Sequence, residues 1–237
     1  MDMIRFYSHE IEESCSLPEN ESGHCCRVLR MKEGDLIHVV DGRGREFECE
    51  ITCAHPKHTE VRILSFRDEP KHWKGRIVLA VAPTKNIDRI EWMLEKAVEI
   101  GVDEIVLLKC EHSERKNINE ERLGKIIVSA MKQSLKANLP IFRGLLPLRD
   151  FLKMADTGKK FMGYCDEKIE RRELAKEYPG NEDVTILIGP EGDFSPEEVD
   201  MALENGFVPV TFGESRLRTE SAALFAVTAI HVIDQLK

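Results

Sequence analysis

The stretch Val184-Thr185-Ile186-Leu187-Ile188-Gly189-Pro190-Glu191-Gly192-Asp193-Phe194-Ser195-Pro196-Glu197-Glu198 decides the fold of the C-terminal part of the chain. Its apolar, β-branched start predicts a strand that is buried on both faces. Two glycines then bracket a proline and a glutamate, so the chain leaves the strand through a tight bend with exposed backbone. Ser195, Pro196 and Glu198 fit the N-cap, the first position and the capping box of a helix. Gly206 ends that helix. The bend offers backbone groups to a small ligand, although an ordinary strand-to-helix connection has the same local pattern.

A second glycine-bearing bend follows the predicted strand Phe207–Phe212. It has the sequence Gly213-Glu214-Ser215-Arg216-Leu217-Arg218-Thr219-Glu220-Ser221-Ala222-Ala223 and leads into a long apolar helix, for which Thr219 is the predicted N-cap. In an open parallel sheet, both bends would lie outside the carboxyl ends of the strands, where ligands usually bind. We therefore predict that the two bends form one crevice.

These bends resemble the signature of the RsmE family, the 16S ribosomal RNA (uracil-N3) methyltransferases of the SPOUT superfamily. Segments further upstream are similar to the family as well, so the resemblance extends over most of residues 75–237, with a weaker likeness at the N-terminus. The motifs that carry it are Ile188-Gly189-Pro190-Glu191-Gly192, Phe194-Ser195, Leu217-Arg218-Thr219-Glu220-Ser221-Ala222, Glu95-Lys96-Ala97-Val98-Glu99-Ile100-Gly101-Val102, Ser113-Glu114-Arg115, and Lys132-Gln133-Ser134 ahead of Pro140.

The residue pattern predicts an α/β chain with two domains. Residues 1–70 contain short strands, and Asp41-Gly42-Arg43-Gly44 is a strong hairpin signal, so a small barrel-like β-domain is expected. Residues 75–237 alternate strands with helices, which is typical of a parallel sheet covered on both faces. The resemblance implies that the first domain is a PUA-like RNA-binding barrel. It also implies that the second is a SPOUT methyltransferase domain with a C-terminal trefoil knot, a feature that periodicity cannot show.

Several elements are predicted from pattern alone. Cys25–Met31 has the spacing of a short helix, and Asn86 or Asp88 caps a helix that runs to Ile100. Arg171–Glu177 is predicted to be helical. The last helix, Glu220–Lys237, is apolar almost all round, which indicates burial within the domain or against another chain. Further predicted strands are Met3–Tyr7, Leu36–Val40, Phe47–Thr52, Val61–Phe66, Arg76–Pro83, Val102–Leu108, Ile141–Leu145 and Lys160–Cys165.

The resemblance implies methyl transfer from S-adenosylmethionine to N3 of a uridine in 16S ribosomal RNA. Uracil N3 lies on the pairing edge and carries a proton, so the base must be turned out and must lose that proton. A cation would then stabilise the charge that develops on the ring. Arg218 is the first candidate for this role and Arg216 the second. Glu191 and Glu220 are candidate proton acceptors, although Glu220 can equally favour the helix N-terminus and Glu191 can hold its loop.

The predicted cofactor-binding residues are apolar side chains and backbone groups beside the bends. Glycines let the backbone approach a ligand closely, and apolar side chains suit an adenine ring. These residues are Met162, Tyr164, Leu187, Ile188, Gly189, Pro190, Gly192, Phe212, Gly213, Leu217 and Thr219.

The formal net charge of −9 argues against a large nucleic-acid interface, because phosphate contact needs basic surface. Residues 109–143 nevertheless carry eight basic side chains against four acidic ones, a pattern that also fits a solvated helix face. The RNA-binding residues that the resemblance implies are Arg5, His24, Arg27, Arg30, Arg115, Lys116, Lys132 and Lys136.

Three positions depart from the family pattern. Asp193 stands where a glycine is usual, and Ser221 replaces a common threonine. The segment Lys136-Ala137-Asn138 lacks an arginine that often precedes the proline. These departures leave the expected cofactor site intact and bear mainly on how RNA is held.

The cysteines and the hydrophobic runs of the sequence indicate where the protein is found and which partners it has. Seven cysteines, without a paired CxxC pattern, predict reduced thiols in a cytoplasmic protein. Cys49, Cys53, His55 and His58 lie close in sequence, but nothing else has metal-ligand spacing, so no metal is expected. No membrane-spanning run or secretory leader is found, and the resemblance implies a homodimer through the C-terminal helix.

Three alternatives to this enzyme stay open. A SPOUT methyltransferase could act on a different RNA. A non-catalytic RNA-binding adaptor would need the barrel but no cofactor pocket. A phosphate-binding α/β enzyme would use the glycine bends, but neither bend ends in Gly-Lys-Ser/Thr, and Glu191 would repel phosphate.

Overall fold

A computed structural model describes residues 4–155, 158–166 and 169–237 of the chain. These residues form two compact units. The first comprises the described residues up to His72 together with Val128–Leu139, and the second comprises Trp73–Ile127 and Pro140–Lys237. The predicted boundary near residue 70 did not include Val128–Leu139 in the first unit.

The first unit is built on a mixed, nearly barrel-shaped sheet of five strands in the order β1-β3-β4-β5-β2. Strands β1 and β3 are parallel and the other pairs are antiparallel. Its core includes Phe6, Ile11, Leu17, Phe47 and Ile51, all buried. The elements are β1 (Arg5–Tyr7), α1 (Ile11–Ser14), β2 (Ser16–Leu17), α2 (Glu19–Gly23), a π-helical turn (His24–Val28), β3 (Leu36–Val40), β4 (Arg45–Cys53) and β5 (Thr59–Asp68).

The second unit is an α/β domain with a sheet of seven strands, all parallel, in the order β10-β12-β9-β11-β6-β7-β8. The predicted parallel sheet is confirmed. Its elements are β6 (Ile77–Val81), α3 (Ile87–Ile100), β7 (Glu104–Lys109), α4 (Glu120–Gln133, whose end belongs to the first unit), β8 (Ile141–Pro147), α5 (Leu148–Met154), β9 (Lys159–Gly163), β10 (Arg172–Glu173), α6 (Leu174–Glu177), β11 (Val184–Ile188), α7 (Pro196–Glu204), β12 (Val208–Thr211) and α8 (Thr219–Leu236).

Strand β11 lies in the middle of this sheet, between β9 and β6, and all five of its residues are buried. Alternate strand side chains face opposite sides of a sheet, so both faces need a cover. On one face Val78, Ala80 and Leu187 pack with helices α5 and α7. Helix α8 contacts β6, β11 and α3, which covers the other face. The sheet thereby fixes where the loops at its carboxyl edge begin.

Three local predictions differ from the structure. The helix predicted over Arg171–Glu177 is a two-residue strand followed by the short helix α6. The helix predicted over Cys25–Met31 is instead a π-helical turn that starts at His24. Thr219 is not the N-cap of α8; it is the first helical residue, and Arg218 occupies the cap position without a side-chain cap bond. The predicted strand start at Met3 lies outside the described residues, and the knot stays a prediction.

Candidate cofactor pocket

A cavity of about 850 Å³ opens in the second unit where three neighbouring strands end. The loops that follow β9, β11 and β12 line it, together with Arg89 of α3 and Arg171. Ligands of open parallel sheets bind at this edge, and cavities of this size accept molecules as large as a nucleoside. The two glycine-bearing bends are therefore brought together in one crevice.

A direct hydrogen bond joins the two bends. Thr219 Oγ1, at the start of α8, donates to the carbonyl oxygen of Gly189 at 3.3 Å. Thr219 is buried, so this bond is shielded from competing water. The residue predicted to cap α8 thus fastens the second bend to the first.

Two glycines let aromatic rings approach the backbone of the pocket. A Cβ at Gly189 would lie 2.9 Å from the ring of Phe194, and one at Gly163 would lie 2.8 Å from the ring of Phe212. Real Cβ atoms do not come this close to carbon atoms, so any larger residue would displace the rings. The glycines are required by packing here, in addition to any contact with a ligand.

The helix that follows the first bend is anchored by the predicted capping box. Ser195 Oγ accepts a hydrogen bond from Glu198 N at 3.3 Å, and Glu198 Oε2 accepts one from Ser195 N at 3.0 Å. The other carboxylate oxygen of Glu198 accepts a bond from Glu111 N at 2.8 Å. One glutamate therefore holds both the start of α7 and the loop after β7. Burial and the nearby Glu198 raise the pKa of Cys110 in that loop, which keeps its thiol protonated.

Sequence reasoning missed Arg89, which lies between both candidate carboxylates. Its NH1 is 3.9 Å from Glu191 Oε1, and its Nε is 3.7 Å from Glu220 Oε1. Glu220 is buried, and among the described residues its second oxygen has no hydrogen-bond partner. A charge so placed requires a nearby cation. The only sequence signal was an arginine in the first turn of a helix that follows a buried strand.

The other predicted catalytic and cofactor residues divide into two groups. Glu191 and Arg218 line the cavity, as does Arg216, and both arginines are exposed. Among the predicted cofactor residues, those that line it are Tyr164, Ile188, Gly189, Pro190, Phe212, Gly213, Leu217 and Thr219.

The remaining predicted cofactor residues lie behind the cavity wall. Met162 and Leu187 are fully buried, and their side chains pack in the core beneath α5 and α7. Gly192 packs against the loop after β7, where a Cβ would lie 3.1 Å from the Cβ of His112. Their predicted contact with a cofactor stays a prediction.

Two of the predicted RNA-binding residues are engaged inside the first unit. Arg5 is buried, forms an ion pair with Glu46 at 3.1 Å and donates to the carbonyl oxygen of Leu135. Lys132 Nζ lies 2.6 Å from Glu21 Oε1, and that carboxylate is buried. Both side chains thus pair with buried carboxylates, and their predicted contact with RNA stays a prediction.

The other predicted RNA-binding residues are more accessible. Arg115 is half-buried; its Nε donates to Thr84 O at 3.1 Å, and its guanidinium also donates to Lys85 O. Lys136 is half-buried. The exposed residues of this group are His24, Arg27, Arg30 and Lys116.

The part of the chain that the structure describes contains neither a cluster of metal ligands nor a membrane-spanning helix. No group of three or more His, Cys, Asp or Glu side chains there could hold a metal ion. None of the helices in that part has the length and apolar character needed to cross a bilayer. All seven cysteines are free thiols.

Models of known families match both parts of the chain. Residues 71–231 match an RNA methyltransferase domain, and residues 17–64 match an RNA methyltransferase PUA domain. Among curated relatives, ribosomal RNA small subunit methyltransferase E of Rickettsia conorii is 28% identical over 87% of this chain and 84% of its own length. The protein of the same name from Bacillus subtilis is 26% identical over 96% and 94%.

Solved structures of methyltransferases are also similar to this chain. A probable rRNA methyltransferase from Porphyromonas gingivalis is 48% identical, with a TM-score of 0.91 over 99% of both chains. A ribosomal RNA small subunit methyltransferase E from Neisseria gonorrhoeae, bound to S-adenosylmethionine, is 26% identical, with a TM-score of 0.83 over 98% of both chains.

Proposed function

The chain belongs to the RNA methyltransferase family, and on that basis we propose that it transfers a methyl group from S-adenosylmethionine to N3 of a uridine in 16S ribosomal RNA of the small subunit. The observation that carries the proposal is the single crevice formed by the two glycine-bearing bends. An RNA-binding adaptor would have no use for such a cavity.

The residues around the cavity fit an adenosyl cofactor. Ile188, Phe212 and Leu217 offer apolar surface for an adenine ring, while the bends offer backbone groups for its polar edge. Four carboxylates line the cavity together with four arginines, and a carboxylate can face the sulfonium of the cofactor. The carboxylates are those of Asp166, Glu191, Asp193 and Glu214. When bound, S-adenosylmethionine supplies an electrophilic methyl group, so the protein's own tasks are positioning and electrostatics.

The acceptor side of the reaction depends on charged side chains of the pocket. Arg218 is exposed at the cavity and can stabilise negative charge that develops on the uracil carbonyl oxygens as the N3 proton leaves. Glu191 is the accessible carboxylate for the proton, since it lines the cavity and is 41% exposed at its side chain. Glu220 is buried beside Arg89 and acts mainly by fixing that guanidinium.

RNA is held by the accessible basic residues of both units. His24, Arg27 and Arg30 lie around the π-helical turn of the first unit, and Arg115 and Lys116 follow β7 in the second. Contacts of this kind bind phosphate without reading sequence, so the choice of uridine depends on the shape of the RNA.

The reaction takes place in the cytoplasm, where ribosomal RNA is found.

The exposed apolar side chains of the C-terminal helix support a homodimer. Phe225, Val232 and Leu236 of α8 are 47%, 48% and 78% exposed although they are apolar, and they recur at helical spacing. Exposed apolar stripes of this kind mark interaction sites. Sedimentation of the full chain should give twice the monomer mass of 27.1 kDa.

The proposed activity is tested in a strain that lacks the gene. Mass spectrometry of nucleosides from its 16S ribosomal RNA should show loss of 3-methyluridine, and the gene supplied on a plasmid should restore it. Unchanged 3-methyluridine would overturn the assignment. Isothermal titration with S-adenosylmethionine separates the remaining classes, because an RNA-binding adaptor would not bind the cofactor at all.

A further inference from the structure

Asp193 occupies a backbone conformation that most residues avoid. Its φ is +61°, in the left-handed region, where a Cβ is unfavourable. This explains why the family resemblance leads to the expectation of a glycine at this position. An aspartate is tolerated there better than most residues because its short side chain can bond to nearby backbone. A glycine would be sufficient for this turn, so the turn itself does not explain the aspartate side chain.

The side chain of Asp193 joins two loops of the cofactor pocket. Its Oδ1 accepts a hydrogen bond from Phe194 N at 2.9 Å, within its own loop. Its Oδ2 accepts one from Cys165 N at 3.3 Å, across the cavity edge in the loop after β9. Both Asp193 and Cys165 line the cavity. The carboxylate is thus a tether between the loops after β9 and β11.

The main chain of the same residue contacts a third loop. Asp193 O lies 3.0 Å from His112 Nδ1, in the loop after β7, and Asp193 N donates to Pro190 O at 2.9 Å. Cys165 O in turn accepts a bond from Arg171 NH1 at 3.1 Å. The loops after β7, β9 and β11 therefore all converge on Asp193.

Burial makes the ionised form of the Asp193 carboxylate less favourable. Burial raises the pKa of Asp193 above its ordinary value, and Asp166 acts in the same direction. The amides of Phe194 and Cys165 and the guanidinium of Arg216 act in the opposite direction but do not cancel the effect of burial. A group that costs stability, yet bridges two loops of a ligand cavity, is more readily explained by function than by folding.

We propose that Asp193 is a positioning residue of the cofactor pocket: its carboxylate fastens the loop after β9 to the loop after β11 and thereby presets the cavity for S-adenosylmethionine. This inference rests on the proposed function. The residue acts through the two backbone amides and takes no part in the transfer itself. Without the tether, the cofactor must order the loop at Cys165 when it binds, and that ordering weakens its affinity.

The first test measures S-adenosylmethionine binding by isothermal titration of the full chain. Asp193→Gly removes both hydrogen bonds and relieves the left-handed strain, so we expect binding about tenfold weaker than that of the unmodified chain. The melting temperature without ligand should fall by no more than about 2 °C, because relief of strain and of the buried charge offsets the lost bonds. A structural residue would instead lower the melting temperature markedly.

Two variants serve as matched controls. Asp166→Asn removes a carboxylate from the same cavity and leaves the Asp193 bonds in place, so its effect on affinity should be clearly smaller. Cys165→Ala changes the thiol but keeps the backbone amide that the tether uses, so its loss of affinity should be clearly smaller than that of Asp193→Gly. An equal loss in Asp166→Asn would show that charge alone matters and would overturn the tether.

The pH dependence supplies a second readout. Protonation of Asp193 turns an accepting oxygen into a donor, so the tether is present above the raised pKa and is lost as the pH falls through it. Affinity for S-adenosylmethionine should therefore fall in the unmodified chain as the pH is lowered through the raised pKa of Asp193, and it should stay level over the same range in Asp193→Gly. His112 also faces this loop, and His112→Gln should retain the fall.

The outcomes separate this inference from the proposed function. If the unmodified chain does not bind S-adenosylmethionine, the proposed function fails. If it binds and Asp193→Gly binds equally well, only the tether is refuted. If His112→Gln abolishes the pH dependence, the imidazole and not the carboxylate is responsible, and the inference is again refuted.

Discussion

The two bends that line the pocket are built in different ways. The bend after β11 is held at several points: Gly189 O accepts a bond from Thr219, and Asp193 bonds to the loops after β7 and β9. The bend after β12 runs from Gly213 to Arg218, and most of its side chains are exposed. Thr211 Oγ1 bonds to Gly213 O at 2.8 Å at the start of this bend.

This difference indicates that the two bends have different roles in binding and in the reaction. A preorganised backbone costs little to order when a ligand arrives, so the first bend suits cofactor binding. The second bend presents Arg216 and Arg218 to the cavity opening, where a base turned out of RNA would enter. Changes that loosen the backbone of the first bend should therefore affect cofactor affinity, and changes at the two arginines of the second bend should affect turnover.

The largest effect is expected at Arg218. Arg218→Ala removes the cation that we propose stabilises the charged uracil, so turnover on small-subunit RNA from the deletion strain should fall by about 100-fold or more. Affinity for S-adenosylmethionine should stay within about twofold, because no described contact of the first bend depends on this side chain. Single-turnover transfer of a labelled methyl group measures the first quantity, and isothermal titration measures the second.

The matched control for this variant is Arg216→Ala, on the same bend. Its effect on turnover should be much smaller if Arg218 is the stabilising cation. Equal losses of cofactor affinity and turnover in Arg218→Ala would show that the residue is architectural, and the division between the bends would be wrong.

A smaller effect is expected at Arg89, which connects the bends through their carboxylates. Arg89→Gln leaves Glu220 buried without its cation and frees Glu191. Turnover should fall by about tenfold, and the free energy of unfolding by about 1 kcal/mol, with both recovered in part by Arg89→Lys. Urea unfolding at pH 7 gives the stability. If Arg89→Gln turns over as fast as the unmodified chain, Arg89 has no role in the reaction.

The sequence was sufficient for the elements that local chemistry determines. The buried strand Val184–Ile188 and the capping box at Ser195 and Glu198 follow from β-branched residues, a hydroxyl and a carboxylate at fixed spacing. Asn86 caps α3 for the same reason, since its side chain accepts a bond from Asp88 N. The crevice followed from two such bends in one parallel sheet.

The sequence was not sufficient where a side chain acts over a long separation. Arg89 meets Glu220 through the packing of α3 against α8, and no local pattern indicates that pair. The resemblance implied Arg5 as an RNA contact, and its ion pair with Glu46 could not be predicted because Glu46 lies on another strand. Thr219 has good N-cap chemistry, but its hydroxyl bonds to Gly189 instead. Tertiary partners therefore decided which role each polar residue has.

The smallest effect is expected at the bond between the bends. Thr219→Val keeps the shape of the side chain but removes the hydroxyl that donates to Gly189 O. A buried neutral hydrogen bond contributes about 1 kcal/mol, so S-adenosylmethionine should bind about fivefold more weakly. Thr219→Ser retains the hydroxyl and should restore most of the affinity. Turnover at saturating cofactor should change by less than about twofold in both variants, because Arg218 and Glu191 stay in place. A loss of turnover that saturating cofactor does not correct would mean that this bond also positions the second bend for chemistry, and the two bends would then act as one unit.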